Sequence, residues 1–209
     1  DLRTQLRSID GFSMEIIKEY KDKLDDKGNL YFERIRSSAK KMSEFIDGIL
    51  VISRVVRQEL VLCEVNLSSM VKNILENLEK SYPPKKYNFL IQPNLTAKCD
   101  KNTVYILLEN LLENALKFSL NNSHTEIEFG RTKIDNKYVF FVRDNGAGFD
   151  MAYYDKLFFP FSRLHSLQDY PGNGIGLATV FRIIKRHKGR IWAESSVGKG
   201  TTFYFTINS

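Results

Sequence analysis

The sequence predicts an α+β protein in which an antiparallel helical hairpin is followed by a β-sheet with helices on one face. Three observations point to this fold class. The first 60 or so residues repeat apolar side chains at helical spacing, the remainder alternates short strand-like runs with helical ones, and glycines punctuate the chain from Gly146 to Gly176. We therefore expect a helical domain over residues 1–61 and a second domain over residues 62–209.

Composition limits the classes of function. Of the 209 residues, 43% are hydrophobic and 27% charged, and the net charge is +6. Basic residues alternate with acids, as in residues 40–44 (KKMSE), so we expect a mildly basic surface and no nucleic-acid partner. No apolar run reaches the roughly 18 residues of a membrane span, and Cys63 and Cys99 lack the spacing of a metal or disulfide framework. We expect a cytoplasmic location for this portion, whether its parent protein is soluble or membrane-anchored.

The predicted hairpin carries two apolar stripes. The stripe of the first helix comprises Leu2, Leu6, Ile9, Ile16, Tyr20 and Leu24. The stripe of the second helix follows heptad steps of four and three, at Ile35, Ala39, Met42, Ile46, Ile49, Ser53, Val56 and Leu60. Residues 25–29 (DDKGN) predict the turn between the helices, with Gly28 at positive φ. A lone hairpin cannot bury both stripes, so we expect a homodimer that forms a four-helix bundle; the alternative is that the stripe packs on the second half of the same chain.

The second half alternates predicted strands and helices. Strands are predicted over residues 61–67, 126–129, 138–143, 190–194 and 201–207, with one or two more between 87 and 99. Helices are predicted over residues 68–80, 101–118 and 175–187. Four polar or glycine-rich clusters lie among these elements.

The first cluster lies on the predicted helix 101–118. Asn110 and Asn114 are four residues apart and share one helix face, and Lys117 lies one turn beyond Asn114. Two carboxamide oxygens and an ammonium on one face suit Mg²⁺ and phosphate. Asparagines on a helix also cap it or face solvent, so this cluster alone leaves both interpretations open.

The second cluster, residues 142–149 (VRDNGAGF), follows a predicted strand. Asp144 can accept a hydrogen bond from an exocyclic amine such as that of adenine, and Gly146 and Gly148 let the backbone approach a ligand closely. An ordinary Asp-Asn-Gly turn explains the same residues equally well.

The third and fourth clusters are glycine-rich. Residues 171–177 (PGNGIGL) lead into a predicted helix, whose N-terminus would present amide groups to phosphate. A dinucleotide-binding fold needs a strand directly before the glycines and the spacing GxGxxG, whereas this chain has a loop and GxGxG. Residues 198–203 (GKGTTF) form a turn into the last strand, which by itself predicts only a hairpin.

The order of the four clusters resembles the N, G1, G2 and G3 boxes of the histidine-kinase ATP-binding domain, a Bergerat-type fold shared with gyrase B and MutL. Residues 157–163 (LFFPFSR) are similar to the F box of the nucleotide lid. The resemblance covers about residues 61–209 and implies a Bergerat-type α/β sandwich that binds ATP and Mg²⁺. The implied ATP-binding residues are Asn110, Asn114, Lys117, Phe118, Asp144, Gly146, Gly148, Arg163, Gly172, Gly174, Ile175, Gly176, Leu177 and Thr201.

The resemblance also implies roles for the polar residues. Asn110 and Asn114 would hold Mg²⁺ directly or through water, with Asn114 as the metal ligand proper, and Lys117 would contact the phosphates. Asp144 would bind adenine, with Thr201 nearby.

Further roles concern the lid and the type of reaction. Gly172, Gly174 and Gly176 would let the lid close over the phosphates, and Arg163 would contact the γ-phosphate. ATP-hydrolysing relatives place a glutamate at the position of Asn110, so an asparagine there implies phosphoryl transfer rather than hydrolysis.

The first 12 residues (DLRTQLRSIDGF) are similar to the H box of phytochrome-like histidine kinases, with Gln5 in place of the usual proline. The resemblance places the phosphoacceptor histidine immediately before Asp1. Asp1 would then orient the imidazole and act as a base, and Thr4 would orient water for dephosphorylation of a response regulator. The histidines within the chain are interpreted as surface or helix-end residues: His124, His165 and His187.

These resemblances together imply the core of a two-component sensor histidine kinase, with Asp1, Thr4 and Asn110 as catalytic residues. Expected partners are a second copy of the chain, the receiver domain of a response regulator and a sensor domain upstream. The chain from Asp1 onward is expected to bind ATP yet not to phosphorylate itself. The alternatives are a catalytically silent, dimeric nucleotide-sensing scaffold and a Bergerat-fold ATPase.

Overall fold

The chain folds as two units, Asp1–Val51 and Ile52–Ser209. The computed structural model describes residues 2–57, 59–82, 87–162 and 174–208. Within these ranges, no helix is both long enough and apolar enough to cross a membrane. The domain boundary that the sequence places at residue 61 stays a prediction.

The first unit is a helical hairpin. It contains α1 (Leu2–Glu19) and most of α2 (Asp26–Arg57), whose last residues belong to the second unit. Arg3, near the start of α1, forms an ion pair with Asp47, late in α2. Asp10 pairs with Arg36, whose Nε lies 2.8 Å from the Asp10 Oδ1. Because the early part of one helix contacts the late part of the other, the two helices run antiparallel, as predicted.

The heptad stripe of α2 is largely exposed on the single chain. Ile35, Met42 and Ile49 are 44%, 53% and 51% exposed, whereas Ala39 on the same stripe is buried. A contiguous apolar stripe of this kind is the surface that a partner helix would cover. The homodimer itself stays a prediction.

The turn between the helices lies earlier than the sequence suggested. Residues 20–23 form the turn, and Gly28 lies inside the first turn of α2 without a positive φ. The Oδ1 of Asp25 accepts a hydrogen bond from the Gly28 N–H at 2.7 Å, so Asp25 caps α2 and the helix begins at once. The prediction for Gly28 is therefore wrong.

The second unit contains a two-stranded and a five-stranded sheet. Its elements are β1 (Leu62–Asn66), α3 (Leu67–Glu79), β2 (Tyr87–Ile91), β3 (Thr96–Asp100), α4 (Lys101–Phe118), β4 (Thr125–Ile134), β5 (Lys137–Asp144), α5 (Gly176–Arg186), β6 (Ile191–Ser196) and β7 (Gly200–Phe205). A short 3-10 helix covers Met151–Lys156. β1 pairs with β3, and the larger sheet has the order β2-β4-β5-β7-β6, in which only the β2–β4 pair is parallel. The α+β class is confirmed.

Polar N-caps fix the starts of α3 and α4. Asn66 Oδ1 accepts a hydrogen bond from the Ser69 N–H at 2.9 Å, and Asp100 Oδ1 accepts one from the Thr103 N–H at 2.8 Å. Such caps satisfy amides that have no partner within the helix. Because Asp100 also ends β3, this strand leads directly into α4, which spans the predicted range.

The core lies between the helices and one face of the larger sheet. Leu111 of α4 and Ile183 of α5 are fully buried and share this core with Phe129, Val142 and Phe203 of the central strands. The apolar side of α4 therefore faces the sheet. Asn110 and Asn114 are half-buried at the edge of the core.

Candidate functional site

Helix α4 carries four of the predicted site residues along its C-terminal half. Asn110 and Asn114 lie one turn apart and are half-buried. The Asn110 Nδ2 donates a hydrogen bond to the Ile106 carbonyl oxygen at 2.7 Å, and its Oδ1 accepts none from the described residues. The Lys117 Nζ lies 4.5 Å from the centre of the Phe118 ring. The helix thus offers carboxamide oxygens and an ammonium along one flank.

The N-terminal end of α5 lies against Asn110. A Cβ on Gly176 would lie 2.5 Å from the Asn110 Oδ1, so a larger residue at this position would have to displace the Asn110 carboxamide. Ile175, at the N-cap position, has no side-chain acceptor for the first amides of α5. These amides carry the positive end of the helix dipole and suit an anion. An amide oxygen and a helix N-terminus suited to an anion are therefore adjacent.

Gly174 shapes the segment that leads into α5. Its φ is 70°, and its carbonyl oxygen accepts a hydrogen bond from the Phe161 N–H at 2.9 Å. A Cβ there would lie 2.7 Å from the Ser162 carbonyl oxygen. Positive φ and close backbone contact both account for glycine here. Arg163 and Gly172, predicted to act next to this segment, lie outside the described residues.

Asp144 is a buried carboxylate at the end of β5. It is 6% exposed, and its Oδ1 accepts hydrogen bonds from the N–H groups of Gly146 at 2.8 Å and Thr201 at 3.2 Å. The pairing of β5 with β7 sets Asp144 directly opposite Thr201. Among the described residues none donates a hydrogen bond to its Oδ2, so one carboxylate oxygen is held by the backbone and the other is available to a ligand.

Burial dominates the electrostatics of this carboxylate. It raises the pKa of Asp144 to about 6, while the hydrogen bonds from Gly146 and Thr201 lower it. At neutral pH the carboxylate is mostly ionised and accepts hydrogen bonds. It takes up a proton only slightly below neutrality.

The loop after β5 packs against the end of α4. The Ala147 N–H donates a hydrogen bond to the Phe118 carbonyl oxygen at 2.9 Å, and a Cβ on Gly146 would lie only 2.6 Å from the same oxygen. The end of α4 and the Asp144 loop therefore touch through their backbones.

The same loop packs against the turn between β6 and β7. Gly148 has a φ of 60°, and a Cβ there would lie 2.1 Å from the Ser196 carbonyl oxygen. Gly200 has a φ of 90°, and a Cβ there would lie 2.0 Å from the Asp144 carbonyl oxygen. Only glycine fits either position. The second cluster (residues 142–149) and the fourth cluster (residues 198–203) are therefore brought together.

Two supporting residues escaped the sequence analysis. The Ser195 Oγ accepts a hydrogen bond from the Phe149 N–H at 2.9 Å and lies 3.0 Å from the Thr201 Oγ1. Asn145 accepts from the Glu126 N–H at 3.0 Å and donates to the His124 carbonyl oxygen at 2.9 Å. Asn145 stands inside the Asp-Asn-Gly segment and could have been noticed there, whereas nothing in the sequence distinguishes Ser195.

The structure brings most of the predicted residues into one region of the second unit. Direct contacts join Asn110 to Gly176, Phe118 to Gly146, and Asp144 to Thr201. Leu177 packs against the core beside them. Asp1 lies outside the described residues, and Thr4 is an exposed residue of α1 in the first unit.

The described histidines agree only in part with their interpretation as surface or helix-end residues. His124 is exposed. His187 follows the last residue of α5 but is 2% exposed; its Nε2 accepts a hydrogen bond from the Asp100 N–H at 3.1 Å and its Nδ1 lies 2.9 Å from the Ile183 carbonyl oxygen. It is a satisfied core residue. His165 lies outside the described residues.

The family model "Histidine kinase-, DNA gyrase B-, and HSP90-like ATPase" matches residues 99–209. Cyanobacterial phytochrome A of Nostoc sp. (strain PCC 7120) is 32% identical over 99% of this chain and 27% of its own length. The methanogenesis regulatory histidine kinase FilI of Methanothrix harundinacea is 34% identical over 99% of this chain and 23% of its own length. The chain thus spans about a quarter of the length of these relatives.

Solved structures share the fold. Full-length ShkA in complex with AMPPNP superposes with a TM-score of 0.63 at 22% identity, over 97% of this chain and 42% of that one. Histidine kinase ThkA in complex with the response regulator protein TrrA also gives a TM-score of 0.63 at 22% identity, over 98% of this chain and 58% of that one.

Gly148→Ala is expected to destabilise the second unit far more than Gly198→Ala. Both residues have positive φ, at 60° and 76°, so both substitutions carry backbone strain of about 1–2 kcal/mol. Only the Gly148 Cβ meets backbone; that of Gly198 has open space around it. Urea unfolding monitored by circular dichroism should show a further loss of at least about 2 kcal/mol for Gly148→Ala. Equal losses for the two variants would contradict the close packing of the Asp144 loop.

Proposed function

Because this chain belongs to the histidine kinase-, DNA gyrase B- and HSP90-like ATPase family, we propose that it is the core of a two-component sensor histidine kinase. It binds Mg-ATP and transfers the γ-phosphoryl group to a histidine at the start of the first helix, for relay to an aspartate of a response regulator. The observation that carries this proposal is the buried Asp144 carboxylate, whose second oxygen has no donor among the described residues.

Asp144 is suited to bind the exocyclic amine of adenine. Its Oδ1 is held by two backbone N–H groups, which fix the carboxylate plane, and its Oδ2 can accept a hydrogen bond from the ligand. A hydrogen bond to a buried, ionised acceptor discriminates strongly against ligands that lack the donor. We therefore assign adenine rather than the phosphates to this end of the site.

The flank of α4 is suited to the phosphates and Mg²⁺. The Asn110 Oδ1 is a hard oxygen with no donor among the described residues, and Asn114 lies one turn further along the helix. Carboxamide oxygens, phosphate oxygens and water are the ligands that Mg²⁺ takes in such sites. When bound, the metal ion would neutralise charge on the phosphates. Lys117 and the amides of the α5 N-terminus add positive potential on the same side.

Phosphoryl transfer is favoured over hydrolysis by the residue types on α4. A carboxamide such as that of Asn110 cannot take a proton from water at neutral pH. Burial and the nearby Glu109 carboxylate raise the pKa of the Tyr105 hydroxyl. The only acid next to Asn110 in sequence therefore lies near Tyr105, one turn back on the helix. This supports a kinase rather than an ATPase.

In this proposal the acceptor is the histidine placed immediately before Asp1, at the start of the hairpin. The lone pair of one imidazole nitrogen attacks the γ-phosphorus in line, a P–N bond forms, and the bond to the bridging β–γ oxygen breaks with release of ADP. Asp1 accepts a hydrogen bond from the other, protonated nitrogen and fixes the tautomer. The exposed stripe of α2 supports a homodimeric four-helix bundle. A sensor domain upstream and a receiver domain as the phosphoryl acceptor complete the proposed partners, and we place this portion in the cytoplasm.

Asp144→Asn is expected to weaken the binding of Mg-ATP at least about tenfold, because the new Nδ2 group can turn a donor toward the adenine amine. Wild-type affinity should also fall as the pH drops below about 6, where the carboxylate takes up a proton and ceases to accept. The Asp144→Asn variant has no carboxyl group at this position, so any fall in its affinity at low pH comes from protonation of the nucleotide. Isothermal titration calorimetry measures both.

Asp135→Asn is the matched control for this substitution. Asp135 is exposed in the β4–β5 turn with a φ of 48°, a conformation that asparagine adopts readily. The Asp135→Asn variant should bind Mg-ATP with wild-type affinity. If the Asp144→Asn variant also binds Mg-ATP with wild-type affinity, adenine does not bind at this end of the site.

Asn110→Ala is expected to abolish autophosphorylation of the natural protein extended upstream of Asp1. Incubation with ATP labelled at the γ-phosphate should give the wild-type protein an acid-labile, alkali-stable label, as phosphohistidine requires. Asn102→Ala, an exposed position in the first turn of the same helix, should keep the label. Steady release of phosphate without labelled protein would favour the ATPase, and nucleotide binding with neither reaction would favour the silent scaffold.

Thr4→Ala is expected to slow dephosphorylation of a receiver domain that the natural protein phosphorylates. Thr4 lies on an exposed face of α1, where its hydroxyl can orient water toward an aspartyl phosphate. We expect a rate about tenfold or more below wild type, measured as loss of label from the purified receiver. Ser8→Ala, one turn further along α1, removes a hydroxyl that donates to the Thr4 carbonyl oxygen and should leave the rate unchanged. A normal rate in Thr4→Ala would refute this role.

A further inference from the structure

The two cysteines of the chain face each other across the two-stranded sheet. β1 and β3 pair antiparallel, and the register sets Cys63 directly opposite Cys99. Nothing in the sequence indicated this, because the cysteines are far apart and lie in no recognised motif. The structure records both as free thiols.

The geometry of an antiparallel pair suits a disulfide. Residues directly opposite each other point to the same face, with Cα atoms about 4.5 Å or 5.5 Å apart depending on the hydrogen-bonding pattern. Both separations fall within the range of about 4.4–6.8 Å that disulfides span. Formation of the bond therefore requires no change in the strand register.

The two thiols differ in their environment. Cys63 is exposed, whereas Cys99 is fully buried and its Sγ lies 3.7 Å from the Ala97 carbonyl oxygen. Burial raises the pKa of the Cys99 thiol to about 12, and the proximity of Cys63 and Asp100 adds to the shift. Cys63 is therefore the sulfur that meets a reagent from solution, and Cys99 is a protected thiol behind it.

The pair links β1, the first strand of the second unit, to β3. Asp100, next to Cys99, accepts a hydrogen bond from the Val61 N–H at 3.0 Å, just before β1 begins. β1 pairs only with β3 among the described strands. Two-stranded ribbons are marginally stable and open more readily than central strands. A disulfide between β1 and β3 would hold the two strands of this ribbon together.

We propose that Cys63 and Cys99 form a reversible cross-strand disulfide when the protein meets a small-molecule disulfide such as oxidised glutathione. The Cys63 thiolate attacks one glutathione sulfur, the glutathione S–S bond breaks, and one glutathione thiolate leaves. Cys99 then gives its proton to water and attacks the Cys63 sulfur, which releases the second glutathione. Two protein thiols are oxidised and one small-molecule disulfide is reduced to two thiols. Because Cys63 is exposed, a reducing agent in solution can reach the new disulfide and cleave it.

The test is to incubate the folded wild-type chain with oxidised glutathione, block free thiols with a maleimide and map the peptides without reduction. We expect an intramolecular peptide pair joining Cys63 and Cys99, reversed by dithiothreitol. Hydrogen exchange at the β1 amides Glu64 and Asn66 should slow by about tenfold in the oxidised protein. Glutathione retained on Cys63, a Cys63 link between two chains, or two unreacted thiols would each overturn the proposal.

Two variants test whether the cross-link depends on the opposed register of Cys63 and Cys99 or only on the reactivity of an exposed thiol. Cys99→Ala preserves apolar burial and should stop at the mixed disulfide between Cys63 and glutathione. Cys63→Ala combined with Glu64→Cys moves the exposed thiol to the neighbouring residue, which lies opposite Lys98 and points to the other face. This double variant should also stop at the mixed disulfide. If it cross-links to Cys99 as readily as the wild type, the opposed register is not the cause.

Discussion

The candidate site depends on one interaction, the hydrogen bonding of the buried Asp144 carboxylate to backbone N–H groups. A buried carboxylate without donors costs several kcal/mol, so its position has to be prepared by the fold. Gly146 supplies one donor from the loop that follows β5, and Thr201 supplies the other from the start of strand β7. Pairing of β5 with β7 fixes the second donor. The sheet register therefore determines both where the acceptor lies and which of its oxygens is left for a ligand.

Close backbone approach is the second constraint, and glycines meet it. The loop after β5 is held between the Phe118 carbonyl at the end of α4 and the β6–β7 turn, where side chains on Gly146, Gly148 or Gly200 would overlap neighbouring atoms. Gly176 leaves room for the Asn110 carboxamide beside the start of α5. As a result, a helix flank, a strand end and a helix N-terminus meet in a small region. The proposed nucleotide site uses these three features for the adenine, the metal ion and the phosphates.

Local patterns predicted much of this fold. The range of α4 was predicted from its helical apolar pattern, and the strands from runs of alternating or continuous apolar residues. Gly28 was misplaced because a glycine after two acids suggests a turn, whereas the side chain of Asp25 caps a helix. The parallel β2–β4 pair, the support from Ser195 and the burial of His187 depend on contacts between distant segments. No local pattern encodes such contacts, and the same reason hid the opposed cysteines.

In the proposed site, residues from α4, the β5 loop, the start of α5 and the start of β7 bind one nucleotide. The most direct test of this site is an amide NMR titration with a non-hydrolysable ATP analogue, with and without Mg²⁺. We expect the largest shifts on residues 110–118, 144–148, 174–177 and 201, and we expect the shifts on α4 to grow when Mg²⁺ is present. Shifts confined to the helical hairpin, or no shifts in folded protein, would contradict the proposed site.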